Sequence, residues 1–114
     1  MADLYLSVEE LLAGASVNYD VTIPPELLHP GGGDASSEMA VTLKPLTIGA
    51  FQLIMKAAKN DASLIPLLMI KESLIQPALT LEQVKKLPLG LVNFLIGHIR
   101  EISGLVEKKS LLPS

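Results

Sequence analysis

The chain lacks cysteine and tryptophan, and only 4% of its 114 residues are aromatic. The absence of cysteine excludes disulfides, thiolate metal ligands and a cysteine nucleophile. Hydrophobic residues nevertheless make up 49% of the chain, so the core must be built from aliphatic side chains and methionine, which suits packed helices. A chain of this length is typical of one small domain that hides roughly two thirds of its unfolded surface. We therefore expect a single modest core.

Long hydrophobic runs and a basic leader are also missing. The longest apolar runs, at 64–70 and 89–96, fall short of the roughly 20 residues that span a bilayer. The N-terminal segment Met1-Ala-Asp-Leu4 contains an acid and no basic residue, unlike a signal peptide. We expect a cytoplasmic protein without membrane contact.

Basic residues are missing from the first 40 positions, which hold seven acids and no lysine or arginine. Residues 41–114 hold nine bases and five acids. The two parts therefore carry −7 and +4, which together give the net charge of −3. Three interpretations stay open: the acidic part folds against the basic part, each part meets its own partner, or the acidic part is a solvated arm.

An acidic arm is predicted over residues 1–38, with a short helix, a strand and a Gly-rich loop. Ser7 followed by Glu10 forms a capping box that begins the helix. Hydrophobic residues then alternate with polar ones over 16–23, which predicts a half-buried strand ended by Pro24. The glycines of 29–37 indicate a flexible connection.

Residues 39–105 are predicted to form a strand followed by about four short helices. Met39, Val41 and Leu43 alternate with polar or small residues, so this strand is expected to pair with the first as an antiparallel hairpin. The predicted helices span 48–59, 64–75, 81–86 and 88–103, and residues 106–114 form a loose tail. The expected fold class is α+β, mostly helical.

Helix ends and buried faces follow from local signals. Thr47 and Ser63 are predicted N-caps, Thr80 begins a capping box, and Gly104 is placed to end the last helix in a left-handed conformation. In the helix at 48–59 one face carries Ile48, Phe51, Met55 and Ala58, and a wide apolar stripe of the last helix carries Leu89, Val92, Leu95, Ile96, Ile99 and Ile102.

Catalytic and metal-binding patterns are absent from the sequence. His29 and His98, the only histidines, have no acid or cysteine at metal-ligand spacing. No serine occupies a Gly-x-Ser-x-Gly elbow, and Gly31-Gly32-Gly33 lacks a following Lys-Ser/Thr. We predict no enzyme activity, no catalytic residue, no cofactor and no metal.

The apolar surplus points to protein binding. Hydrophobic residues surround the helix at 64–75 on nearly all sides, so this helix must be central or lie in an interface. Leu91 and Phe94 lie away from the main stripe of the last helix, and Met55 and Met69 suit adaptable contacts. A partner-binding groove or a homo-oligomer is expected.

The order of motifs resembles the tail assembly chaperones of tailed bacteriophages and prophages. The resemblance covers about residues 41–105 and includes Leu43-Lys-Pro-Leu-Thr47, Lys56-Ala-Ala-Lys59, Pro77-Ala-Leu-Thr-Leu-Glu-Gln-Val84 and Ile102-Ser-Gly-Leu105. It implies a small helical protein of the bacterial host cytoplasm that binds the tape measure protein, with the tail tube protein as a further partner. Amphipathic client helices would lie against apolar helix faces. The predicted partner-binding residues are Phe51, Met55, Leu68, Met69, Leu91 and Phe94.

Two alternatives remain open. A structural, self-associating tail component would use the same apolar faces. A small nucleic-acid-binding regulator would use the lysines at 56, 59, 71, 85 and 86, but the chain has one arginine and no aromatic residues between these lysines to stack on bases. We therefore favour protein binding.

Overall fold

The computed structural model describes residues 5–28 and 39–105. The predicted fold class, α+β and mostly helical, is confirmed. The predicted Gly-rich connection and C-terminal tail lie outside the described residues. In chain order the elements are helix α1 (Val8–Ala13), a 3₁₀ turn (Gly14–Ser16), strand β1 (Tyr19–Ile23), helix α2 (Pro25–Leu28), strand β2 (Met39–Leu43), helices α3 (Ile48–Ala58) and α4 (Leu64–Ser73), strand β3 (Leu74–Gln76), and helices α5 (Leu81–Val84) and α6 (Leu89–Ile102).

The predicted hairpin is present as two strands of an antiparallel sheet with the order β1-β2-β3. Val21 lies opposite Val41, and both Val21 and Ile23 are buried. At the neighbouring cross-strand pair, the Thr42 hydroxyl donates to Asp20 Oδ1 at 2.8 Å. The acidic arm thus contributes a strand to the folded unit.

The third strand was not predicted, because residues 74 and 75 were assigned to the preceding helix. That helix ends at Ser73, where the chain turns to pair with β2. The Lys44 N–H donates to the Ser73 carbonyl at 2.9 Å, and the Ser73 hydroxyl donates to the Lys44 carbonyl at 2.6 Å. Ser73 is fully buried, so this bond satisfies a hydroxyl that water cannot reach.

Helix α4 is central in the molecule, which explains why apolar residues lie on nearly all of its sides. It packs against α3, α5 and α6 and continues directly into β3. Met69 and Ile70 are buried, while Leu67 and Leu68 pack at the edge of the core. Most of the apolar surplus of this helix therefore belongs to the core of one chain.

The buried face of α6 differs from the predicted stripe at its first turn. Leu89 is 74% exposed, whereas Leu91, predicted to lie off the stripe, is 5% exposed. Val92, Leu95 and Ile99 are buried as expected. The difference arises because α2 and α4 both pack against α6, and because Leu91 shares an apolar cavity with Ile23 and Leu74 of the sheet. Together these contacts widen the buried arc beyond one stripe.

Most predicted helix caps are confirmed. Reciprocal capping boxes join Ser7 to Glu10 and Thr80 to Gln83, and the Thr47 hydroxyl accepts from the Ala50 N–H at 3.1 Å. Ser63 occupies the predicted N-cap position of α4, but its side chain makes no capping hydrogen bond. Its hydroxyl and N–H both donate to the carboxylate of Asp61 in the α3–α4 turn instead.

The hydrogen bonds from the Ser63 hydroxyl and N–H lower the pKa of Asp61 below its ordinary value of 3.8, with a smaller contribution from the charge of Lys85. A carboxyl group with a depressed folded pKa contributes stability above its unfolded pKa, and that stability is lost as pH falls through the folded pKa. We expect Ser63→Ala to move the pKa of Asp61 back towards 3.8, measured by NMR titration of the carboxyl carbon. An unchanged pKa of Asp61 would contradict the assignment of its shift to the Ser63 hydroxyl.

Two glycines at α6 should respond to alanine in opposite directions. A Cβ on Gly97 would meet no atom within 4 Å, so Gly97→Ala should stabilise the protein by about 0.5–1 kcal/mol through helix propensity. Gly104 has φ +75° and its N–H donates to the Glu101 carbonyl. Gly104→Ala should cost about 1–2 kcal/mol because an alanine is strained in a left-handed conformation. Urea unfolding of both variants measures the change in the free energy of unfolding. Equal changes in the two variants would contradict the left-handed conformation of Gly104.

Candidate partner-binding surface

Helix α3 exposes a row of large hydrophobic side chains, called here the α3 stripe and consisting of Ile48, Phe51 and Met55. Their exposed fractions are 78%, 38% and 44%. Ile54 and Ala58, each 2% exposed, make the contact with the core instead. The sequence placed Ile48, Phe51, Met55 and Ala58 on one face of this helix, and the structure divides them. Ala58 alone of the four is buried.

The reason lies in the composition of α3, where hydrophobic residues occupy more than one side. Successive residues advance by about 100° around a helix, so the row at 48, 51 and 55 and the row at 54 and 58 are both regular. Only the position of α4 decides which row is covered. The α3 stripe is left facing outward.

A shallow apolar groove of about 170 Å³ runs beside the α3 stripe where the start of α3 meets the end of α6. Its position is held by a hydrogen bond of 2.8 Å from the Leu46 N–H to the Ser103 hydroxyl. Leu105 follows α6 and is 42% exposed. Ile48, Phe51 and Leu105 thus line one continuous apolar area.

A second and larger groove, of about 390 Å³, lies on the opposite flank of α3. We call it the lysine groove, because two exposed lysines border an otherwise apolar surface. Glu72 also lines it. Its remaining lining residues are Leu53, Ile54, Lys56, Ala57, Leu68, Lys71 and Leu81.

The six predicted partner-binding residues do not form one surface. Phe51 and Met55 lie together on the α3 stripe, and Leu68 lies in the lysine groove. Phe94 is half-buried and packs against the His98 ring, with ring centroids 4.6 Å apart. Met69 and Leu91 are each 5% exposed and belong to the core, so we remove these two from the candidate contact residues.

Sequence reasoning missed two exposed residues of α3. Ile48 was placed on an apolar face but not named as a contact residue, although it is 78% exposed, and Leu53 was not singled out, although it is 61% exposed. Leu53 lies outside both regular rows of the helix, and a hydrophobic residue outside the buried arc is the signal that could have identified it.

The described residues show no arrangement suited to metal binding. Among residues 5–28 and 39–105, no three His, Cys, Asp or Glu side chains are grouped closely enough to hold a metal ion. Lys85 lies 3.7 Å from Glu82 in a solvent-exposed ion pair, an ordinary surface contact of small energetic value. No helix in the part of the chain that the structure describes is long and apolar enough to cross a membrane.

Comparison with known proteins adds no relative. No family model, curated protein or solved structure gives a significant match to this chain.

Proposed function

We propose that this protein is a non-enzymatic assembly chaperone of a tailed bacteriophage or prophage that binds the tape measure protein during tail assembly. The observation that carries this proposal is the α3 stripe, three large apolar side chains exposed on one helix beside an apolar groove. The motif order of residues 41–105 adds the identity of the client through the resemblance described above.

The shape of this surface suits an amphipathic client helix. A helix recognised in a groove contributes hydrophobic anchors at intervals of three and four residues, and Ile48, Phe51 and Met55 follow the same intervals on the chaperone side. Both partners would bury apolar surface that is exposed when they are apart, which is the main source of free energy in such contacts. The site of action would be the cytoplasm of the bacterial host.

A chaperone needs no covalent chemistry, because it only has to cover the apolar surface of its client and release it again. The α3 stripe meets this requirement, because the core residues Ile54 and Ala58 hold the helix in place without using the exposed side chains. Binding and release at the stripe would therefore leave the fold intact.

The proposal is tested by co-expressing the tagged protein with the proteins encoded next to its gene and recovering the tagged protein under native conditions. We expect a long, predominantly helical neighbour to be retained and to stay in the soluble fraction. The matched comparison is the same neighbour expressed alone, which should precipitate. Failure to retain any neighbour, in a protein that is shown to be folded by circular dichroism, would contradict the proposal.

A second candidate function, a self-associating structural component of the tail, is favoured by one further observation. Every residue from Tyr5 to Asp20 is exposed, including the apolar residues of α1. A structural component would remain in the finished particle, whereas a chaperone would be absent from it. Mass spectrometry of purified particles separates the two.

A further inference from the structure

Helix α1 carries an apolar face that the described structure leaves uncovered. Val8, Leu11 and Leu12 fall within an arc of about 100° and are between 63% and 68% exposed. Glu9 lies at the border of this arc, while Glu10 is held in the capping box with Ser7. Six residues are too few for a helix that is stable alone in water, because most helical stability in proteins comes from packing an apolar face. We therefore expect α1 to have a packing partner.

The lysine groove has the complementary properties. Leu53, Ala57 and Leu68 supply an apolar surface, and the exposed residues Lys56 and Lys71 line the same groove. Glu72 also lines the groove, so two positive charges oppose one negative charge. The segment that contains α1 carries acids and no base, which matches the excess positive charge of the groove.

The connection of α1 to the sheet favours a groove on another molecule. Only Val17 and Asn18 separate the 3₁₀ turn from β1, and two extended residues reach about 7 Å. Strand β1 is at the edge of the sheet, and β2 separates it from β3, which continues directly from α4. Two strand spacings already amount to about 10 Å, before the distance from β3 to the groove is added. The 3₁₀ turn and α1 add their own length to this reach, but in the described structure α1 buries no residue and leaves the groove of its own chain open, so a second copy is the available partner for both surfaces.

We infer that α1 of one copy docks in the lysine groove of a second copy, with Leu11 and Leu12 against Leu53 and Leu68 and with Glu9 beside the two lysines. The contact is reciprocal in a pair related by a two-fold axis, because each copy offers one α1 and one groove. Such a pair is closed and does not grow into a polymer. It leaves the α3 stripe on the other flank of α3 free, and the inference is independent of the proposed chaperone function.

The test uses two variants of the full chain that break opposite halves of the contact. Leu11→Asp with Leu12→Asp removes the apolar face of α1, which buries no residue. Leu53→Asp places a charge in the lysine groove at a side chain that is 61% exposed. Light scattering after size exclusion, over a range of concentrations, should show a dimer for the natural chain. Each variant alone should dissociate with a Kd raised about tenfold or more, because a carboxylate would be forced into an apolar contact.

Mixing the two variants provides the decisive result. The chain with Leu11→Asp and Leu12→Asp keeps its lysine groove unchanged, and the chain with Leu53→Asp keeps α1 unchanged. One of the two contacts can therefore still form in a mixed pair, so a tag on one variant should capture the other. Ile48→Asp, on the other flank of α3, is the control that should dimerise normally. A monomeric natural chain, a variant that dimerises as well as the natural chain, or a mixture without capture would each overturn the inference.

The charge match is tested separately. Glu9→Lys should weaken dimerisation several-fold at low salt, and combining it with Lys56→Glu and Lys71→Glu should restore part of the loss, with all differences decreasing at high salt. Glu26→Lys, an exposed charge change on α2, is the matched control. If Glu26→Lys has the same effect as Glu9→Lys, the charges of α1 make no specific contact and the assigned orientation is wrong.

Discussion

Replacing Leu91 by alanine is expected to lower the free energy of unfolding by about 2–5 kcal/mol, the range for truncating a buried leucine. Leu91 is 5% exposed and lines an apolar cavity of about 200 Å³ between the sheet and α6. Truncation removes apolar contacts and enlarges this cavity, and both effects destabilise the folded state. For a domain whose total stability is about 5–15 kcal/mol, this loss is a large fraction.

The matched control is Leu89→Ala, two positions earlier in the same helix. Leu89 is 74% exposed, so its truncation should change stability by no more than about 0.5 kcal/mol. The same chemical change in the same helix cancels the difference in helix propensity between leucine and alanine. Urea unfolding followed by circular dichroism, with equal m-values for both variants, measures the contrast. Equal losses of stability would show that the buried arc of α6 is assigned incorrectly.

Replacing Phe51 by aspartate is expected to abolish capture of the client while the protein stays folded. Phe51 is the aromatic side chain of the α3 stripe, is 38% exposed and lines the groove beside the stripe, so a docked helix would pack against its ring. An aspartate at this position would have to lose its water in the complex without gaining a partner, which should weaken binding by at least about tenfold. The measurement is the co-expression pull-down, quantified by the ratio of client to tagged protein.

Leu53→Asp is the control for this experiment. It places the same charge on the same helix, but on the flank that faces the lysine groove. Client capture should persist in Leu53→Asp and self-association should persist in Phe51→Asp. If both variants lose the client equally, the client contact extends around α3 and is not confined to the stripe. Thermal unfolding of both variants must first show that neither has lost the fold.

The pair of results also separates the two proposals from each other. Loss of client capture in Phe51→Asp together with normal dimerisation supports the α3 stripe as the client site. Loss of dimerisation in Leu53→Asp together with normal client capture supports the lysine groove as the self-contact. Because the two residues lie on opposite flanks of one helix, each variant is the other's control.

The elements that were predicted from the sequence depend on residues only a few positions apart. The capping box of Ser7 with Glu10, the capping box of Thr80 with Gln83 and the left-handed Gly104 each satisfy backbone groups at the end of their own helix. The alternation in β1 and β2 likewise defines their buried faces without reference to the rest of the chain. These features follow from local hydrogen bonding and side-chain period.

The candidate contact surfaces were predicted only in part, because several sets of hydrophobic residues were equally regular. Phe51 and Met55 were singled out as contact residues, and both are exposed on α3. Met69 and Leu91 were singled out on the same grounds and are buried. Apolar residues on a helix show that some surface must be covered, but they do not show which neighbour covers it.

The sequence by itself therefore determined the class of the fold, the hairpin and most helix ends, since these depend on short-range periodicity and capping. Tertiary structure alone decided that Leu74–Gln76 leave the helix to pair with β2. It also decided that Ile54 and Ala58 form the side of α3 that faces the core of the protein. Both outcomes depend on contacts between residues far apart in the chain, and a helix or strand chooses its buried side only when its neighbours are in place.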